Sequence, residues 1–302
     1  MAIVKSYAVD QGDMFCIRHG ADSFTIIDCD LTEDNAPAII ADMKRLATGK
    51  AITRFICTHP DEDHFGGIHL LDAAMPIANF YCVENQAIKD QETVSFQYYR
   101  RLRDSEKAFY IQKGTRRKWL NDEDATRHGA GVSVLWPDLA NPFFQTALRN
   151  CEAGHDFNNT SAVIRYSVSD SASFLWLGDL HTEFMEAIED DIELPKTTVV
   201  FAPHHGRDSG RLPASWLRRL DPQIIVIGEA PAGHLNYYKG YRTLTQNRAG
   251  DITFSCDGDK VHVFVGSDTY EVDFLRNEYA TMAGARYIGT LTLDTGYTLN
   301  AR

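Results

Sequence analysis

Short alternating runs of apolar and polar residues open this 302-residue chain and then give way to a helical spacing. Val4 to Val9, Met14 to His19 and Ser23 to Cys29 read as strands, the first two joined by a turn at Gln11-Gly12-Asp13. Ile39, Ile40, Met43 and Leu46 then recur at helical intervals, which predicts a helix from Ala36 to Leu46 closed by Thr48-Gly49. A strand at Ile52 to Cys57, a polar turn, and a helix opened by Gly67-Ile68 and stopped by Pro76 follow. Strands that trade places with helices in this way define an α/β rhythm.

The stretch from Glu84 to Asp124 breaks the rhythm: it is long, polar and helix-prone, and predicts an insertion over the scaffold. Strands resume at Val132 to Trp136, Ser161 to Val168 and Ser173 to Leu177, with a helix around Glu183 to Glu189. Thr198 to Ala202, Ile224 to Ile227 and Val261 to Val265 continue the pattern. Residues 286 to 300 alternate about Asp294-Thr295-Gly296 and predict a terminal hairpin. This extension, about 275–302, would cap the sheet or reach a partner subunit, which leaves a homodimer open. No internal repeat or low-complexity linker divides the chain.

A length of 302 residues with 44% hydrophobic content allows a substantial core and is compatible with one large domain or two small ones. No apolar run approaches membrane-spanning length and the first residues carry no long apolar leader, so no membrane partner is expected. Cys16, Cys29, Cys57, Cys82, Cys151 and Cys256 are scattered without a Cys-x-x-Cys pair, mostly in apolar stretches. That argues for a cytoplasmic protein, and against disulfides and a thiolate metal site. The net charge of -12 disfavours unspecific binding of long nucleic acid over the whole surface. From Lys89 to Lys118, however, nine basic residues face four acidic ones. A solvated helical face explains such a run as well as an anion-binding surface does.

The chemistry gathers in Thr58-His59-Pro60-Asp61-Glu62-Asp63-His64-Phe65-Gly66-Gly67. Imidazoles and carboxylates crowded into one turn resist burial unless a cation neutralises them, so His-x-Asp-x-Asp-His reads as a divalent-metal site. Three more groups lie just past strand ends, where α/β proteins place their sites: Asp28, Asp179 and the pair His204-His205.

With these residues in hand, the chain resembles the metallo-β-lactamase superfamily, and within it the soluble metallohydrolase (nuclease) domain of ComEC-type DNA-uptake proteins. The resemblance rests on Val9-Asp10-Gln11-Gly12-Asp13, Ile26-Ile27-Asp28, the His59 to Gly67 run, Asn158-Asn159-Thr160-Ser161, Leu177-Gly178-Asp179 and Pro203-His204-His205-Gly206. It implies a single domain over 1–302 with a four-layer αββα sandwich, two mixed sheets between helices, a basic helical insertion at about 84–124, and two metal ions. His59 and Asp61 would hold the first ion, Asp63 and His64 the second, and Asp179 would bridge them. His205 would complete the second site, with His204 facing substrate; Asp63 and His204 would carry the catalysis. The third ligand of the first ion is open between His155, the Asn158 and Asn159 region, and water. Asp61 stands where most of the superfamily has histidine, and that hard oxygen moves the preference from zinc toward manganese or magnesium.

Two such ions lower the pKa of a shared water toward neutrality and absorb charge in an in-line displacement, which suits a phosphodiesterase or nuclease. DNA, RNA or a cyclic nucleotide would be the substrate. Asn158, Asn159, Arg207, Arg100 and Arg101, with Arg116 and Arg117, are candidate substrate contacts. A lactonase, amidase or thioesterase could use the same site, and a non-catalytic metal-binding scaffold is the third reading.

Overall fold

A computed structural model describes residues 1–169 and 171–293. The chain lays down β1 (Ala2–Ser6), β2 (Phe15–Arg18), β3 (Ser23–Ile27) and the two-residue β4 (Cys29–Asp30). Next come α1 (Ala36–Ala47), β5 (Ile52–Ile56), β6 (Phe65–Gly66), α2 (Ile68–Ala74), β7 (Phe80–Cys82), α3 (Val94–Arg103) and β8 (Ala108–Tyr110). The middle runs through β9 (Val132–Trp136), α4 (Pro142–Glu152), β10 (Val163–Ser167), β11 (Ser173–Trp176), α5 (Thr182–Ala187) and β12 (Val199–Phe201). Then follow α6 (Ala214–Leu220), β13 (Ile224–Ile227), β14 (Thr243–Thr245), α7 (Gln246–Ala249), β15 (Ile252–Asp257), β16 (Lys260–Val265) and β17 (Arg286–Thr292).

Two large sheets result. The first has the order β17-β16-β15-β1-β2-β3-β5-β7-β8, and the second β14-β13-β12-β11-β10-β9. Strands β3, β5, β7 and β8 run parallel, as do β11 to β14; the remaining pairs are antiparallel. Strand β1 is clasped between β2 and β15, with Ala2 opposite Cys256 and Ser6 opposite Ile252.

Strand alternation sorts the first sheet's residues between two cores. Phe15, Ile17, Ile27, Ile56 and Tyr81 face the second sheet. Their neighbours Cys16, Ile26, Phe55, Phe80 and Cys82 pack under α1, α2 and α3. A sheet buried on both faces needs apolar residues at both parities, and these strands have them. Phe174 of β11 joins the sheets by meeting Phe254 of β15 edge-on, 5.6 Å between ring centres. Phe144 of α4, Met185 of α5 and Trp216 of α6 extend the same apolar cluster. The architecture is the expected αββα sandwich.

Residues 84–124 are woven into this frame rather than laid over it. β8 extends the first sheet beside β7, and α3 buries Phe96, Tyr99 and Leu102 under that sheet. At the other end β17 pairs with β16, while the turn expected at Asp294-Thr295-Gly296 lies outside the described residues. All six cysteines are buried free thiols. Among the described residues no helix is long and apolar enough to cross a membrane.

One polar tie locks α1 to the sheet. Lys5 of β1 reaches Asp42 of α1 at 2.8 Å and Asp251, before β15, at 2.9 Å. Burial raises the Asp42 pKa, but the hydrogen bonds from Lys5 and Arg45 outweigh it and hold the carboxyl below its ordinary value. Its contribution is therefore present above about pH 4 and lost as acid titrates it. We expect Asp42→Asn to cost about 1 kcal/mol at neutral pH in urea unfolding, and the gap to wild type to close toward pH 3. Phe174→Ala should cost about 3–5 kcal/mol by the same measurement, since it opens a cavity between the sheets.

Candidate metal centre

Four parallel strand ends deliver the chemistry to one edge of the sandwich. Asp28 follows β3, His59 to His64 follow β5, Asp179 follows β11, and His204-His205 follow β12. Hydrogen bonds fix these strand ends, and the first of them ties the second sheet to the first. Ala162 N–H donates to the Thr58 carbonyl at 2.9 Å, and Asp179 N–H to Ser161 Oγ at 2.9 Å. His204 N–H donates to the Gly178 carbonyl at 3.0 Å.

Asp179, 2% exposed, is the hub. His64 Nε2 lies 3.2 Å from its Oδ1. Around Oδ2 stand His205 Nε2 at 3.4 Å, His204 Nε2 at 3.7 Å and His59 Nε2 at 3.9 Å. Asp63 closes the group, 3.3 Å from His205 Nε2 and 3.8 Å from His64 Nε2. The Nε2 atoms of His59, His64 and His205 are buried without a hydrogen-bond partner among the described residues. Buried polar atoms are almost always satisfied, so this convergence of unsatisfied nitrogens on a carboxylate fits a cation.

The electrostatics of the cage agree. Burial opposes charge on His64 and His205, but Asp179 outweighs it at both, aided by Asp28 at His64 and Asp13 at His205, and their pKa values rise well above the ordinary histidine range. Burial and the neighbouring His64 push His59 down to about 4. Asp179 is held well below the carboxylate range despite its burial, chiefly by His64 and then His205. The carboxylates demand positive charge, and imidazole protons supply what a metal ion would.

Two carboxylates beyond the expected ligands take part. Asp28 Oδ2 accepts from His64 Nδ1 at 2.9 Å and from Thr58 Oγ1 at 2.7 Å, which fixes the ring with Nε2 aimed into the cage. Asp13 Oδ1 lies 3.1 Å from His205 Nδ1. Ligand atoms of Asp13, His64, Asp179 and His205 all fall within 4.8 Å of one another. Asp13 was legible as part of the Gln11-Gly12-Asp13 turn, but nothing local marks it as a ligand. Gly12 lets that turn close: a Cβ there would sit 2.4 Å from Asp30 Oδ2 and 2.6 Å from the Asp63 carbonyl.

Other expected site residues sit elsewhere. Asp61 Oδ1 accepts from Lys89 Nζ at 2.9 Å and from Glu62 N–H at 2.8 Å, so its carboxylate faces a lysine instead of the imidazoles. His155 is exposed. Asn158 Nδ2 lies 3.0 Å from His181 Nε2, and Asn159 Oδ1 accepts from the His181 N–H. His181 stacks on His204 with ring centres 5.5 Å apart. Thus the asparagines reach the centre's rim through His181. His204 Nδ1 lies 2.8 Å from Ser209 Oγ, at the cage mouth. Half-buried Arg207 donates to Gln11 Oε1 at 3.3 Å. Arg100 pairs with Glu92, and Arg101 lies over Tyr98, whose hydroxyl bonds Asp72 of α2. Neither of these two arginines engages the clustered imidazoles.

Residues 7–142 match the metallo-beta-lactamase superfamily. The chain carries that superfamily's fold. The match takes in Asp13, Asp28 and the His59 to His64 turn; Asp179 and His204-His205 lie beyond the matched residues and meet that turn by the geometry above. A solved structure described as Igni18, a novel metallo hydrolase from the hyperthermophilic archaeon Ignicoccus hospitalis KIN4/I, aligns with 84% of this chain and 99% of its own. Its TM-score is 0.49 and its identity 13%. No curated protein matches.

Because Asp28 fixes the His64 ring from outside the clustered ligand atoms, Asp28→Asn should keep the fold yet weaken divalent-metal affinity by roughly 10–100-fold, read by competition with a chelating indicator.

Proposed function

We propose that the protein is a metal-dependent hydrolase of phosphodiesters. The observation that carries the reading is the set of buried, unpartnered Nε2 atoms on His59, His64 and His205 converging on Asp179. Asp13, Asp63, His64, Asp179 and His205 would hold one divalent ion, and His59, 3.9 Å from Asp179 Oδ2, would serve a second. Bound there, such ions polarise a phosphoryl oxygen and make water acidic enough to attack near neutral pH. The carboxylate share of this set favours manganese or magnesium over zinc.

The protein's own groups supply the rest. Ser209 occupies His204 Nδ1, so Nε2 is the nitrogen turned inward and able to protonate a leaving oxygen. Arg207, half-buried beside His204, offers donors to non-bridging phosphate oxygens. Lys89, over Phe157 and against Asp61, adds a second cation at the mouth. Likeness of the motifs to the ComEC-type nuclease branch supports DNA, while the net charge of -12 favours a short, single-stranded or cyclic substrate over long duplex.

Hydrolysis of bis(p-nitrophenyl) phosphate should appear with manganese and fall by at least about 100-fold in Asp179→Ala. Turnover of a lactone, amide or thioester by metal-loaded protein that leaves every phosphodiester intact would replace this reading. Full metal occupancy with no turnover of any of these would favour a scaffold.

A further inference from the structure

The basic stretch from Lys89 to Lys118 holds two kinds of residue. Lys89, Arg100, Arg103 and Arg116 are paired tightly with Asp61, Glu92, Asp104 and Asp122. Arg117 and Lys118 are not. They border a cleft of about 420 Å³ with Arg54, Tyr81, Trp119 and Arg127. The cleft opens at the amino ends of β5 and β7, whereas His59 lies past the carboxyl end of β5. About 20 Å of extended chain separates Ile52 from Thr58.

Arg54 is 3% exposed, yet every group it donates to is neutral: Thr25 Oγ1 at 3.1 Å, Ser23 Oγ at 3.5 Å and the Trp119 carbonyl at 2.9 Å. Its Nε has no partner among the described residues. Burying a guanidinium without a counter-charge is costly. Burial lowers the Arg54 pKa and the nearby Arg117 lowers it further, so two like charges share this wall. Arg117 spreads over Phe109 at 4.1 Å and Tyr81 at 5.3 Å, with no carboxylate in ion-pair reach among the described residues. Lys118 meets Asp124 only at 4.0 Å, and Arg127 meets Asp22 only at 3.7 Å. Four cations thus line one cleft of an acidic protein, two of them, Arg54 and Arg117, with no acid in ion-pair reach among the described residues.

We infer that this cleft binds a small phosphorylated anion, at a site separate from the metal centre. A phosphate monoester supplies the missing negative charge and accepts from several guanidinium and ammonium donors at once. It comes as free phosphate or on a nucleoside, whose ring the edges of Trp119 and Tyr81 could flank. The inference stands whatever bond the metal centre cleaves.

Calorimetric titration of the full chain with inorganic phosphate and with adenosine monophosphate tests it. Saturable binding is expected in wild type and, undiminished, in His205→Ala. In Arg117→Gln/Lys118→Gln it should weaken at least about tenfold. Tighter binding of the nucleotide than of phosphate assigns a share to the ring; equal binding assigns the site to phosphate alone. Lys118→Gln/Arg127→Gln keeps the packing of Arg117 on Phe109 and should show the same loss. Absence of saturable binding by both ligands overturns the inference. So does binding that survives both double variants, or that disappears in His205→Ala.

Discussion

One imidazole holds this site together. His64 faces a carboxylate on both sides: Nδ1 is hydrogen-bonded to Asp28 from the end of β3, and Nε2 lies 3.2 Å from Asp179 from the end of β11. Those strands belong to different sheets, so a single ring spans the seam of the sandwich. Each carboxylate is buried, and each would be costly there without the charge the ring shares between them. The edge of the fold and the centre of the chemistry are therefore one construction.

Backbone strain gathers at the same seam. Asp28, His204 and His205 adopt φ values of 54°, 52° and 56°, a left-handed conformation that side-chain-bearing residues seldom occupy. Each follows a buried strand and must turn sharply to aim a side chain inward instead of along the sheet. Strain of this sort, of order 1–3 kcal/mol per residue, persists where surrounding contacts over-determine it. Asp28 is fixed by three hydrogen bonds, and the His204-His205 turn by the Gly178 carbonyl and Ser209.

Much of this was legible in the residues. The strands and helices of the first eighty positions fall within a few residues of where alternation and helical spacing put them, because each buries a continuous apolar face. His59, Asp63, His64, Asp179, His204 and His205 could be singled out since each lies past a strand. What stayed hidden depends on contacts between distant segments. The outward turn of Asp61 is set by Lys89, twenty-eight positions away. Asp13 is recruited by His205, and His181 by Asn158 and His204, through pairings no local pattern records. β15 does alternate, apolar Ile252, Phe254 and Cys256 against polar Thr253 and Ser255, so its strand was open to a reading from the residues, while α6, seven residues long, is too brief to show a long periodicity. The charge run at 89–118 looked uniform, and only folding reveals which of its cations are spoken for.

The position of β1 has a consequence for biosynthesis. Its second neighbour, β15, lies some 250 residues downstream, so a ribosome must release most of the polypeptide before the middle of the larger sheet can be completed. Until then one side of Ala2–Ser6 presents bare amide and carbonyl groups, an open template for mispairing with another chain. Closure over so long a contour is entropically slow, which makes the nascent protein a natural client for holding chaperones.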